Sequence, residues 1–330
     1  MGRALARGTL SGATPARAEL IEDAGAGAAS DEFFRCEPYL AAERTTHTLR
    51  IEPGGSGGAV LLAPLIVREI PGGAGRDAIS PYGYPGVVSP AGPPGGPPLD
   101  HRDVDWSPTG LVSILLRATA LGPHPLAGSE RGTLQVSDPS EPRKSRMSDR
   151  QQIRRNAEAG YETEVVPGPD ADDRRRAGFR RAYEQTMVRT GASRRYFYDR
   201  EWFDAALSSP RTWLVLVDAP GGEEVAAASI GALSDGALHY FLSGTADEHL
   251  REAPMKNGIV ALQELSEELD APLNLGGGLR PGDGLEEFKR GFANAQAPFV
   301  AHEVICDMGA YERLASGREA GDFFPAYRAS

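Results

Sequence analysis

Thr212-Trp-Leu-Val-Leu-Val217, Glu224-Val-Ala-Ala-Ala-Ser-Ile-Gly-Ala-Leu233 and Ala237-Leu-His-Tyr-Phe-Leu-Ser243 follow one another with Gly221-Gly222 and Asp235-Gly236 between them. Apolar, β-branched and aromatic runs parted by two-residue glycine turns read as three strands of an antiparallel meander, because such turns match the twist of paired strands. Downstream, Pro254 to Leu269 carries a helical pattern with proline in its first turn. A short strand Pro272 to Leu275, the turn Gly276-Gly-Gly278, a helix from about Leu285 to Ala293 and a strand Phe299 to Cys306 complete the series. Upstream, helices are expected over Ala171 to Thr190 and Asp199 to Leu207. Ser148-Asp-Arg-Gln151 fits a capping box for a helix from about Asp149 to Ala159, stopped by Gly160.

The first 30 residues are rich in Ala and Gly and specify little. Thr46–Ile51 and Ala59–Arg68 read as a hairpin joined by Gly54-Gly-Ser-Gly-Gly58, and Gly132–Val136 as another strand. Trp106 to Ala120 places Leu111, Ile114, Leu115 and Ala118 at helical spacing. Between them, Tyr82 and Tyr84 sit in a long loop that becomes dense in Pro and Gly through Pro98, the kind of irregular segment that often carries function. The chain has 330 residues, 40% hydrophobic and 25% charged, a globular composition with room for two domains, and Pro142-Arg-Lys-Ser-Arg146 marks the expected junction.

The longest apolar run, Ala59 to Val67, is too short to span a bilayer. Arg3 and Arg7 precede no apolar block, so the chain is expected to be cytoplasmic with no membrane insertion. Cys36 and Cys306 stand alone, without metal-ligand spacing, and no metal is expected. A nucleophilic role for Cys306 competes with that of a buried strand cysteine. Net charge is −11, yet Arg143 to Arg200 holds 15 basic and 9 acidic residues. That local excess of +6 reads either as an anion-binding face or as solvated helix faces with compensating acids.

Several motifs add a family resemblance. Arg154-Arg-Asn-Ala-Glu-Ala-Gly160, Leu238-His-Tyr-Phe-Leu-Ser-Gly244, Leu273-Asn-Leu-Gly-Gly-Gly278 and above all Gly284-Leu-Glu-Glu-Phe-Lys-Arg-Gly-Phe292 resemble the Fem-type aminoacyl-tRNA-dependent transferases, within the GNAT acetyltransferase-like superfamily. The likeness covers residues 143–306 and is loose before them. It implies an α+β fold of two GNAT-like subdomains, each a mixed, mainly antiparallel sheet flanked by helices: residues 1–142, completed by 307–330, and a catalytic subdomain of 143–306. The implied activity is amide formation, an amino acid passing from aminoacyl-tRNA to an amine of a small molecule or peptidoglycan precursor, with no cofactor. The alternative is an acetyl-CoA-dependent N-acetyltransferase, and a third reading is a GNAT-like binding module without catalysis.

Acetyl-CoA enzymes hold pyrophosphate on free amides at a helix N-terminus. Here that place reads Thr245-Ala-Asp-Glu-His-Leu-Arg-Glu-Ala-Pro-Met-Lys-Asn-Gly258, where proline removes a donor and three acids repel the ligand, favouring charged tRNA. No RNA-recognition signature accompanies it. By resemblance Lys289 stabilises charge near the reacting carbonyl or the tRNA terminus while Phe288 supports that end, against ordinary helix positions. Arg194 or Arg195 with Tyr198 implies an acceptor-phosphate contact, against a basic surface turn. Tyr240 matches an in-cleft tyrosine or a core one. Tyr82 and Tyr84 line the acceptor pocket or cover the core edge. Asp77, Asp199 and His239 are all candidates for a general base, and that role stays open, as does the oligomeric state.

Overall fold

The computed structural model describes residues 14–55, 58–92, 94–318, 321 and 323–329; part of the expected turn 54–58 and of the Ala/Gly-rich start lie outside them. In chain order the elements are β1 (Ala16–Ile21), α1 (Glu37–Ala42), β2 (His47–Glu52), β3 (Leu61–Glu69), β4 (Arg76–Ile79), β5 (Val104–Asp105), β6 (Ser113–Arg117) and β7 (Ser129–Ser137). There follow α2 (Met147–Glu158), β8 (Glu162–Pro167), α3 (Asp173–Arg189), α4 (Arg200–Leu207), β9 (Thr212–Asp218), β10 (Val225–Ser234) and β11 (Ala237–Thr245). The chain ends with α5 (Met255–Glu268), β12 (Leu273–Gly276), α6 (Gly284–Arg290), β13 (Ala295–Ile305) and α7 (Met308–Ala315).

The strands form one mixed, mainly antiparallel sheet in the order β5-β1-β2-β3-β4-β6-β13-β7-β12-β11-β10-β9-β8. Its two halves repeat one pattern. β1 to β4 are antiparallel neighbours, as are β8 to β11; then β4 runs parallel to β6, and β11 parallel to β12. Each half is finished by a strand from the other side of the expected boundary. β13 pairs with β6, and β7 pairs with β12, while β7 and β13 pair with each other at the centre. Strand pairing therefore crosses the expected limits at 142 and 306. The chain end returns to the N-terminal half, where Ala310 and Tyr327 pack with Ile70 and Val112.

The meander forms as its turns require, with Gly221, Gly222 and Gly236 all at positive φ. Two readings are corrected. Residues 106–120 are not a helix: a 3-10 turn at Ser107–Thr109 ends at Gly110 (φ 62°), and Ser113–Arg117 is a strand whose Ile114 and Leu116 are fully buried inside the sheet. An interior strand is apolar on both faces, so its pattern mimics a buried helix. The helix near 149 begins at Met147 without a side-chain cap; Ser148 lies inside it, and buried Asp149 pairs with Lys256 at 2.9 Å.

Candidate active site

Parallel pairing of β11 with β12 is confined to Leu238–Leu273 and His239–Asn274, after which the strands part. A cleft of about 490 Å³ opens there, with Tyr240 and Phe241 from β11, Leu275 and Gly276 from β12, Thr133 from β7 and Phe299 from β13 on its walls. In a regular strand neighbouring side chains face opposite ways. Here Tyr240 pairs with Gly231 and Leu242 with Ile230, leaving Phe241 as the extra residue of a bulge, so that both aromatic rings reach the cleft.

Lys289 is on α6, whose first turn is fixed by Asp283. That carboxylate accepts from the backbone N–H of Glu286 (2.8 Å), Leu279 (2.7 Å) and Arg280 (2.9 Å), tying the glycine loop to the helix, and these amides hold its pKa below the usual range. Lys289 Nζ donates to Gly277 O at 2.8 Å and is half-buried at the cleft. Burial pulls its ammonium down to about 8, opposed by Asp283. Gly276, at φ 77°, leaves the space this needs: a Cβ there would stand 3.0 Å from Nζ and 3.8 Å from the Tyr84 hydroxyl.

Of the expected residues, Lys289, Tyr240, Tyr82 and Tyr84 line this one cleft. Burial pushes the Tyr240 phenol up to about 12, against the lowering effect of Ser243, so it is neutral at pH 7. Tyr84 stacks on His239 at 5.1 Å between ring centroids. Phe288 turns away, packing beside Phe292 at 5.7 Å and against the buried cluster around Leu262. Tyr198 stacks on Trp202 at 3.9 Å in the aromatic core, and Arg194 is exposed outside the cleft lining. Tyr196 reaches the cleft instead, carrying the Arg195 guanidinium 4.7 Å above its ring.

The three candidate bases have structural places. Asp77 is wholly buried, bound by Arg68 Nε at 3.0 Å, Arg328 Nη2 at 2.9 Å and Tyr327 OH at 3.1 Å. Asp199 caps α4 by accepting from Trp202 N at 2.8 Å. His239 is buried beneath Tyr84, its Nδ1 3.1 Å from Asn274 Nδ2, and burial lowers its pKa to about 4. Cys306 is raised to about 12 by burial and offers no thiolate at neutral pH.

Arg117 and Tyr196 are among the cleft residues that were not anticipated. Arg117, on β6, lines the cleft but lay in the stretch taken for a helix; Tyr196 sits in the same Arg-Arg-Tyr-Phe-Tyr run as Tyr198, and local sequence does not say which tyrosine turns inward. Arg280 and Arg131 also line the cleft; Arg131 is ion-paired with Glu303, while Arg117, Arg280 and Lys289 have no ion pair among the described residues, and Glu286 is the one carboxylate among the described lining residues. The basic stretch 143–200 is different. Much of it is ion-paired: Arg143 with Glu264 and Glu267, Arg146 with Glu287, Arg154 with Glu158, Arg175 with Glu164 and Asp172, Arg181 with Glu224, and Arg189 with Asp247. Compensated helix faces describe it better than a free anion-binding face.

At the start of α5 the amides of Lys256 and Asn257 donate to Ala253 O (3.1 Å) and Pro254 O (2.9 Å), and Asn156 of α2 donates to Glu252 O at 2.9 Å. Two amides that a pyrophosphate would use are thus engaged within the protein there. Among the described residues no group of His, Cys, Asp or Glu is placed to hold a metal ion, and no helix is long and apolar enough to cross a membrane.

Residues 143–276 match the acetyltransferase (GNAT) domain family. No curated protein matches the chain in sequence. Among solved structures, FemX is similar with a TM-score of 0.59 at 10% identity, covering 89% of this chain and 99% of its own. The C-terminal domain (DUF2156) of a putative lysylphosphatidylglycerol synthetase from Agrobacterium fabrum gives 0.56 at 14% identity, covering 85% and 88%. L-PGS from Bacillus licheniformis gives 0.50 at 12% identity, covering 76% and 82%. These likenesses establish the fold, with two GNAT-like halves around a shared sheet. The chain thus has the Fem-type GNAT fold, carries an acetyltransferase (GNAT) domain over residues 143–276, and is an acyltransferase.

Proposed function

We propose that this acyltransferase moves an aminoacyl group from aminoacyl-tRNA to an amine of a small-molecule or peptidoglycan-precursor acceptor. The observation that carries the reading is Lys289: its ammonium, held at 2.8 Å by Gly277 O, faces the cleft where β11 and β12 part. Aminoacyl-tRNA is an activated ester, so positioning and charge stabilisation are the main requirements. The acceptor nitrogen attacks the ester carbonyl, the new C–N bond replaces the C–O bond to the terminal ribose, and the amine's proton passes to the ribose oxygen that leaves. Lys289 stabilises the negative charge that develops on the carbonyl oxygen. Phe288 supports its helix from the core side, and Tyr240 lines the same cleft as Lys289.

The donor assignment is supported by the amides of Lys256 and Asn257 at the start of α5, which are engaged within the protein and so are less available to a pyrophosphate. A net charge of −11 gives no general attraction for RNA, so contact in this reading is confined to the acceptor end at the cationic cleft. A second reading, acetyl-CoA-dependent N-acetylation, is favoured by the family match over 143–276. One assay separates them. Radiolabel should pass from a pool of aminoacyl-tRNAs to acceptor amines and be abolished by ribonuclease; label transfer that survives ribonuclease and requires acetyl-CoA overturns the tRNA reading.

A further inference from the structure

Arg117 is a half-buried cation in the cleft wall whose guanidinium has no carboxylate within 4.0 Å among the described residues. Nη1 is committed to backbone, donating to Ser80 O at 2.9 Å and Pro81 O at 3.2 Å, and the Arg117 backbone N–H donates to Ser80 Oγ at 3.0 Å. These bonds fix the guanidinium and leave its Nε–Nη2 edge without an acceptor among the described residues. Beside it stand Tyr82, whose ring centroid is 5.8 Å from the guanidinium carbon, and Tyr196, edge-on to Tyr82 at 5.7 Å. Arg195 covers the far side of this pair, donating to the Tyr196 hydroxyl at 2.8 Å. Two like charges therefore flank two aromatic rings, an arrangement that an anion between them relieves.

We infer that Arg117, with the hydroxyls of Tyr82 and Tyr196, is a carboxylate-binding subsite for the acceptor, so that the acceptor is an amine also bearing a carboxylate, an amino acid or a peptide. Among the described residues no hydrogen bond joins Arg117, Tyr82 or Tyr196 to the Gly276–Gly277 turn that holds Lys289. A carboxylate fits better than a phosphate for two reasons. The single free guanidinium edge matches two coplanar oxygens carrying one charge. One backbone donor beside it is taken, the Tyr82 N–H donating to Glu43 Oε2 at 2.8 Å, and that acid disfavours a dianion.

The inference rests on the acyl-transfer reading but is tested by binding, with no acyl donor present. Calorimetric titration compares L-alanyl-L-alanine, its C-terminal amide and O-phosphoethanolamine on the intact protein, on Arg117→Gln and on Arg117→Lys. The free acid should bind the wild type about tenfold or more tightly than the amide, the contribution of one charge-assisted contact. That preference should vanish in Arg117→Gln and weaken in Arg117→Lys, which keeps the charge but not the fork. Equal binding of acid and amide, tighter binding of the phosphate compound, no binding of the dipeptide at millimolar concentration, or an acid preference intact in a folded Arg117→Gln each overturns it. Where Arg117→Gln fails to fold, the acid-to-amide ratio on the wild type decides. A failed tRNA assay with that ratio intact removes the donor assignment alone.

Discussion

Gly276→Ala tests whether the position of the Lys289 ammonium governs transfer. The new methyl group meets Nζ at 3.0 Å, closer than nearly all Cβ contacts, and the backbone there is at φ 77°. An L-residue in that region costs about 1–2 kcal/mol. Gly222→Ala supplies the control: φ is 72° and its Cβ meets nothing within 4 Å, so it carries the same backbone cost far from the cleft. Both variants should lose about 1–2 kcal/mol in chemical denaturation. Only Gly276→Ala displaces the ammonium from Gly277 O, and a shift of about 1 Å in a catalytic group costs on the order of 100-fold in rate. Single-turnover transfer at saturating donor and acceptor reads this directly. A rate for Gly276→Ala equal to that of Gly222→Ala refutes the role given to Lys289.

Other outcomes follow from the same geometry. Because Lys289 is charged below about 8, transfer should fall as pH rises through that value, and Lys289→Arg, which stays charged, should abolish that alkaline limb of the rate profile. Asp77→Asn breaks a buried pairing with Arg68 and Arg328 and should destabilise by about 3–5 kcal/mol, while activity per folded molecule, measured below the melting transition, is retained. His239 and His302 are both buried with pKa lowered to about 4 by desolvation, so the unfolded chain binds protons that the native state refuses. Stability should therefore hold above pH 6.5 and be lost as pH falls towards 4, and His239→Gln should flatten that slope in denaturation curves taken across the window.

What the sequence determined by itself was mostly local. The glycine turns of the meander, the proline before α5 and the Gly-Gly-Gly turn before α6 are short-range signals, because a positive φ or a missing N–H is a property of one residue. The Glu-Phe-Lys-Arg motif likewise pointed to Lys289, which sits at the cleft. Tertiary structure decided which surfaces those elements share. Nothing near residues 129–137 or 295–305 reveals that each strand completes the opposite half, since hydrogen-bond partners in a sheet are chosen across the whole chain. The same holds at the site. An apolar period reports burial without naming what lies opposite, so the pattern of β6 hid both a strand and the arginine at its end. Tyr196 and Tyr198 are alike in sequence, and only the packing of Trp202 against one of them leaves the other to face the cleft.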